Sequence, residues 1–226
     1  AGMYASESYE SVFIGDNAGG SSYNSYHSIF LGGFVAQYSP YSNKTTIIGD
    51  SAGQNAPSSS YCVIIGQDAG SYNSGSGNVF LGNSAGWGQT GSNNTFVGNN
   101  AGNGQKGSLN ILIGKGVGYQ QSYSSSIAIG NNVINNNHAQ LNIGNVLYAS
   151  NLYTGSAASS TPIANSKVGI GTNNPIDLLH LHKEFRDSLL LINLVQKLLH
   201  LQLKLFQYQL FHKHDLLLLL KVNRPL

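Results

Sequence analysis

The sequence predicts an all-β fold, a repetitive parallel β-solenoid of the β-roll or β-helix kind, and three observations predict it. One phrase recurs: SVFIGDNAGG at Ser11–Gly20 returns as SIFLGG at Ser28, TTIIGDSAG at Thr45, CVIIGQDAG at Cys62, NVFLGNSAG at Asn78 and NTFVGNNAG at Asn94. Further copies are NILIGKGVG at Asn110, SIAIGNNV at Ser126 and a faded QLNIGN at Gln140. The period is short and nearly constant: the closing glycines stand at Gly15, Gly32, Gly49, Gly66, Gly82, Gly98, Gly114, Gly130 and Gly144. Self-similarity at a fixed period marks a repeat architecture, and so short a period suits one coil with a short strand and tight turns. The third observation is the β-branched and aromatic content of the three residues before each glycine, which fits stacked strands.

The elements follow in order. Residues 1–10 are a lead-in. Residues 11–147 carry the solenoid repeats, and nine coils at the strand spacing make a rod about 40 Å long. The residue before each glycine is aliphatic (Ile14, Leu31, Ile48, Ile65, Leu81, Val97, Ile113, Ile129, Ile143), as is most of the column two positions earlier, from Val12 and Ile29 to Leu141. Alternation puts these two columns on one strand face, and they are expected to line the interior. Three residues after the glycine stands a small apolar column, Ala18, Val35, Ala52, Ala69, Ala85, Ala101, Val117 and Val133, which lets the opposite wall approach. No glycine-rich loop here ends in Gly-Lys-Ser/Thr or opens a helix, so these glycines are read as structural and not as a phosphate cradle.

Between the two expected inward columns lie Phe13, Phe30, Ile47, Ile64, Phe80, Phe96 and Leu112. By alternation they are expected to point outward, as a stripe larger than a soluble monomer usually exposes. Strands apolar on both faces are buried on both, so the stripe is expected to be an oligomer interface, with a homotrimer, intertwined or packed, as the favoured assembly. The column becomes Ala128 and Asn142 in the last two coils, where the interface is expected to loosen.

Residues 148–166 read as a linker and 167–182 as a junction strand. Residues 183–226 form a leucine- and histidine-rich tail of uncertain structure, with no glycine after Gly171. Three readings of it stand: a trimerising helical or β tail, the product of a frameshift, or a membrane-surface segment. Charged residues make up only 9% of the chain; up to Ser166 three lysines face five acids, net −2, and from Lys167 eight bases face four acids, net +4. With no basic stripe on the solenoid, nucleic acid is not expected as a partner. The single Cys62 excludes an internal disulfide framework. No apolar run reaches membrane-spanning length, and no secretory-signal pattern is read in the opening residues.

KVGIGTNNPIDLLHLH, from Lys167, resembles the VGIGT-x-x-P-x-x-x-L-H signature of bacteriophage tail-fibre proteins and related bacterial surface proteins. There it follows N-x-F-x-G-x-x-A-G repeats like Asn94–Gly102, and SIAIG at Ser126–Gly130 is similar to the repeats of trimeric autotransporter adhesin heads. The likeness spans Ser11 to His182. It implies a trimeric fibre or adhesin segment, a virion or cell-surface component that is extracellular and serves attachment to a host or cell surface. A purely structural shaft without receptor binding, or a β-helix glycan-degrading enzyme, are the alternatives.

No catalytic or cofactor-binding residue is nominated and no enzymatic activity is expected, because acids are scarce: Asp16, Asp50 and Asp68 fall in turns of different coils, where a hydrolase needs a facing carboxylate pair. The HxH pairs His180/His182 and His212/His214 are candidates for a shared transition-metal site on a trimer axis, as in some phage fibre trimers, since imidazole suits such ions. The expectation taken forward is nevertheless no metal. The connectors between phrases are rich in Tyr, Ser, Asn and Gly, a composition that serves adaptable recognition. Tyr23, Tyr26, Tyr38, Tyr41, Tyr72 and Tyr123 are accordingly candidate contacts to a surface glycan or receptor.

Overall fold

A computed structural model describes residues 1–2, 7–152, 165–181 and 192–204. The three residues before each repeat glycine form a strand: β1 (Val12–Ile14), β2 (Ile29–Leu31), β3 (Thr46–Ile48), β4 (Val63–Ile65), β5 (Val79–Leu81), β6 (Thr95–Val97), β7 (Ile111–Ile113), β8 (Ile127–Ile129) and β9 (Leu141–Ile143). Each pairs with the next in parallel and in register, Phe80 against Phe96 and Ile64 against Phe80. The chain is thus an all-β solenoid with one strand per coil. At its C-terminal end the direction reverses: β10 (Leu147–Ser150) pairs antiparallel with β9 and with β11 (Lys167–Ile170), and β12 (Leu179–Leu181) completes one 12-stranded sheet.

The inside of the coil differs from the expectation. Phe30, Ile47, Ile64, Phe80 and Phe96 are fully buried within a single chain, Leu112 nearly so, and Phe13 is half-buried. The two flanking columns share the outward face, with Val12, Ile29, Val63 and Ile111 exposed at the first position of the strand and Ile14, Leu31, Ile65 and Ile113 at the third. The seven middle residues therefore do not form an outward oligomer seam. They are the core.

The reason lies in the walls opposite. The interior takes one large apolar side chain per strand, and most residues facing it are cut down to make room: Ala18, Ala52, Ala69, Ala85 and Ala101 are wholly buried. A Cβ placed on Gly102 would collide with the Phe96 ring. Phe80 and Phe96 stack with ring centroids 5.2 Å apart, as do Phe13 and Phe30 at a steeper tilt. Each buried ring removes enough apolar surface from water to contribute about 2–3 kcal/mol.

The backbone that carries this stack is unusual. At Gly98 φ is +134°, and a Cβ there would collide with the carbonyl oxygen of Gly114 on the next coil. The same collision holds from Gly15 to Gly114, which explains the glycine that ends those phrases. Beyond it the chain places alternate residues in the left-handed region, Phe34, Ala36 and Tyr38 among them, at a cost of about 1–2 kcal/mol each. Their N–H groups offset that cost by bonding alternately backward and forward: Phe34 to Asp16 O (2.8 Å), Ala36 to Ala52 O (2.8 Å) and Tyr38 to Gly20 O (2.9 Å). Few buried peptide groups can be left unpaired, and this alternation pairs the turns coil to coil.

The last coil closes the interior with a polar side chain. Asn142 stands where the phenylalanines stood, fully buried. Its amide donates to Ile134 O (2.7 Å) and to Asn145 Oδ1 (3.0 Å), while its own oxygen accepts the Asn145 N–H (3.1 Å).

The chain divides into two compact units, Ala1–His180 and Leu181–Leu226. Within the second, residues 192–204 form a helix, α1, whose residues are all exposed. Among the described residues no helix is long and apolar enough to cross a membrane.

Candidate interaction surfaces

Three surfaces of the solenoid follow from this geometry. The first is the outer face of the sheet. Its two columns run the length of the nine coils with only Thr46 and Thr95 interrupting the aliphatic side chains, and with no charge. Strand spacing and rise give it a footprint of about 40 by 10 Å, or roughly 400 Å², a size at which exposed apolar patches mark interaction surfaces.

The second is the edge that leads into each strand. Tyr9 stacks on Tyr26 with centroids 5.4 Å apart, and His27 lies edge-on to both and meets Glu10 (Nδ1 to Oε2, 2.8 Å). Further along, the Lys44 ammonium lies over the Tyr61 ring at 5.4 Å, and Tyr123 meets His138 edge-on at 5.5 Å. This edge mixes aromatics with charges.

The third is the opposite edge, where the chain turns at the fifth and sixth positions past each glycine. Tyr38, Tyr72, Trp87 and Tyr119 are all exposed there. Tyr72 and Trp87 pair edge-to-face with centroids 5.6 Å apart, and the Gln54 amide donates to Gln37 Oε1 on the neighbouring coil (2.9 Å).

The six tyrosines nominated from sequence are therefore not one ring system. Tyr38 and Tyr72 belong to the uncharged edge, Tyr26 and Tyr123 to the mixed edge. Tyr23 and Tyr41 form a separate pair at the corner between them, edge-to-face at 5.4 Å. There Tyr23, by charge repulsion first and by their hydrogen bond second, holds the Tyr41 phenol above its usual pKa. Trp87 and Tyr119 carried no repeat signal and were missed; both stand one position from the tyrosine column, which a scan for edge aromatics in place of strict columns would have caught.

The acids stay apart: Asp16 and Asp50 occupy one column, on coils separated by Gly33, and Asp68 the next column, tied to Asp50 only through backbone, N–H to O at 3.0 Å. Of the histidine pairs only His180 lies within the described residues, with Nδ1 accepting the Ile176 N–H (3.3 Å); His182, His212 and His214 lie outside them. Among the described residues no group of three or more His, Cys, Asp or Glu is placed to hold a metal ion. Cys62 is buried, and burial pushes its thiol up to about 11 from 9.0, partly countered by backbone N–H groups. No family model, curated protein or solved structure matches the chain.

Proposed function

We propose that this chain is a rod-like segment of an extracellular fibre or adhesin, on a virion tail or cell surface, that self-assembles and mediates attachment without catalysing a reaction. The observation that carries the reading is the outward double column: a nine-coil aliphatic face on a sheet whose own core is already filled. A face of that kind is buried by like faces around a symmetry axis, and a homotrimer is the assembly we favour. The junction at Lys167–His182, which resembles that of tail-fibre proteins, and the absence of a basic stripe on the solenoid support the same reading over a nucleic-acid partner.

Sedimentation velocity on the full chain tests the assembly. The expected species is a trimer, and Ile65→Lys with Ile113→Lys, both outward-facing, should convert it to a folded monomer. A parent chain that sediments as a monomer overturns the assembly. Whole-cell binding by labelled protein tests attachment; a trimer that binds no cell reduces the segment to a shaft.

A further inference from the structure

We propose that the uncharged edge is a binding strip for a neutral polysaccharide lying along the rod, with Tyr72 and Trp87 as its central stacking platform. This rests on the attachment reading and specifies the ligand class and the residues.

The edge comprises the fifth and sixth positions past the repeat glycine in seven coils, from Gly20 and Ser21 to Tyr119 and Gln120, and none of these positions is charged. The opposite edge carries Glu10, His27 and Lys44. A charge-free surface combining exposed aromatic faces with amides matches the chemistry of a neutral sugar, whose C–H face packs on a ring while its hydroxyls bond to amide groups. Gln54, Asn103 and Gln120 supply those amides beside the rings. An acidic or basic polymer would find no counter-charge there.

The spacing suits a linear polymer. Tyr38 lies two coils from Tyr72, and Trp87 two coils from Tyr119, about 10 Å in each case by the strand spacing. The central pair fills the gap at 5.6 Å. Tyrosine and tryptophan offer large contact area for few rotatable bonds, so little conformational entropy opposes binding.

The glycines around Trp87 are the second observation. Gly88 and Gly104 have φ +64° and +69°, but the same column accepts Tyr38, Asn55, Tyr72 and Gln120 at φ between 50° and 58°. The backbone therefore does not demand glycine at these two sites. A Cβ on Gly88 would meet nothing within 4 Å, and one on Gly104 would come tight, at 3.2 Å, only to the side-chain Cγ of Gln120. Their effect is to clear side chains from beside the indole and leave it open.

Trp87 is the sole tryptophan, so its fluorescence reports this strip alone. The full chain is titrated with dextran, hydroxyethylcellulose and glucomannan as neutral probes, and with alginate as an anionic control. At least one neutral polymer is expected to shift the emission, and alginate to leave it unchanged. Binding followed by affinity electrophoresis should weaken about tenfold in Trp87→Ala and in Tyr72→Ala. It should persist in Trp87→Phe and in Tyr61→Ala on the other edge, with circular dichroism confirming that all four fold. Emission unmoved by every neutral polymer, or affinity retained in both alanine variants, overturns the strip. If the chain and these variants still hold to cells alike, the attachment reading survives that failure; if the parent chain binds no cell, that reading fails separately.

Discussion

The coils up to Gly66 and those after it form the same one-strand coil by different chemistry. In the first region the coils are longer, and the far corner of each holds two inward residues with two others between them: Ser22 and Ser25, Ser39 and Ser42, Ala56 and Ser59. In the second, down to Gly130, each coil is shorter by a single residue, and only one position separates the inward pair: Asn73 and Gly75, Gln89 and Gly91, Gln105 and Gly107. Removing that residue draws the corner inward, so that a Cβ at Gly91 would collide with Gly107 O, whereas serine fits at the same place in the longer coils. A long amide then fills the interior that two small hydroxyls had filled.

The polar column preceding the strand changes in step. In the longer coils a hydroxyl does both jobs: Ser28 Oγ accepts the Thr45 N–H (3.2 Å) and donates to Ser42 O (2.7 Å). In the shorter coils the two ends of an amide divide them: Asn94 Oδ1 accepts the Asn110 N–H (2.9 Å) and Nδ2 donates to Gly107 O (3.1 Å). The lesson is that corner and ladder residue change together through Asn110, while in the last and shortest coil Ser126 Oγ again takes both partners, donating to Asn137 O (3.2 Å) and accepting the Gln140 N–H (3.4 Å). In the coils cornered by Gly91 and Gly107 the amide nitrogen reaches the corner carbonyl while the amide oxygen holds the next coil's N–H.

Three experiments press on this comparison. The largest effect is expected at the corner: Gly91→Ala drives a Cβ into backbone and should cost about 3 kcal/mol or more, while Ser42→Ala, at the equivalent place, should cost under about 1.5 kcal/mol. Denaturant midpoints of the two variants measure the contrast, and similar midpoints would break it. Next, Asn94→Ala and Ser28→Ala each strand two backbone partners and should each cost about 2 kcal/mol. The swap Asn94→Ser should remain closer to Asn94→Ala than to the parent; full recovery by serine would show that the corner does not set the ladder.

The smallest effect at pH 7 belongs to Cys62, the joint between the two ladders. Its N–H donates to Thr45 Oγ1 (3.3 Å), and its sulfur accepts the Asn78 N–H (3.4 Å) and faces Gly75 O at 3.7 Å. Because burial raises the folded thiol from 9.0 to about 11, its contribution is complete below pH 9 and is lost as pH climbs through 11. The loss is on the order of 2 kcal/mol. Cys62→Ser should flatten this alkaline fall in stability while changing the midpoint at pH 7 little. A parent chain equally stable at pH 8 and pH 11 would contradict the assignment.

The period, the nine strands and their register were legible in the sequence, because in-register stacking requires the same side chain type at the same step. Val12–Ile14 and the next eight strands, through Leu141–Ile143, fall where the phrase places them, whereas Leu147–Ser150 lies almost wholly in the stretch read as a linker. The facing of those strands was not legible from three consecutive apolar residues, which are apolar on both sides. One clue was present: the Ser, Thr and Asn column shares a face with the phenylalanines by period two, and hydrogen-bonds between coils inside the rod. Trp87 escaped notice because it occurs in one coil alone, and a repeat reading suppresses singular residues.

By itself the sequence determined that the chain must coil, since a glycine returning at a short, nearly constant interval and matching aliphatic steps allow backbone and side chains to repeat only by stacking. Only the tertiary structure decided which column is core. That choice depends on the width of the coil, set by Ala85, Gly86, Ala101 and Gly102 closing against Phe80 and Phe96. Room for the single middle side chain of each strand, and not for its two aliphatic neighbours, is a property of the closed cross-section that no single strand contains.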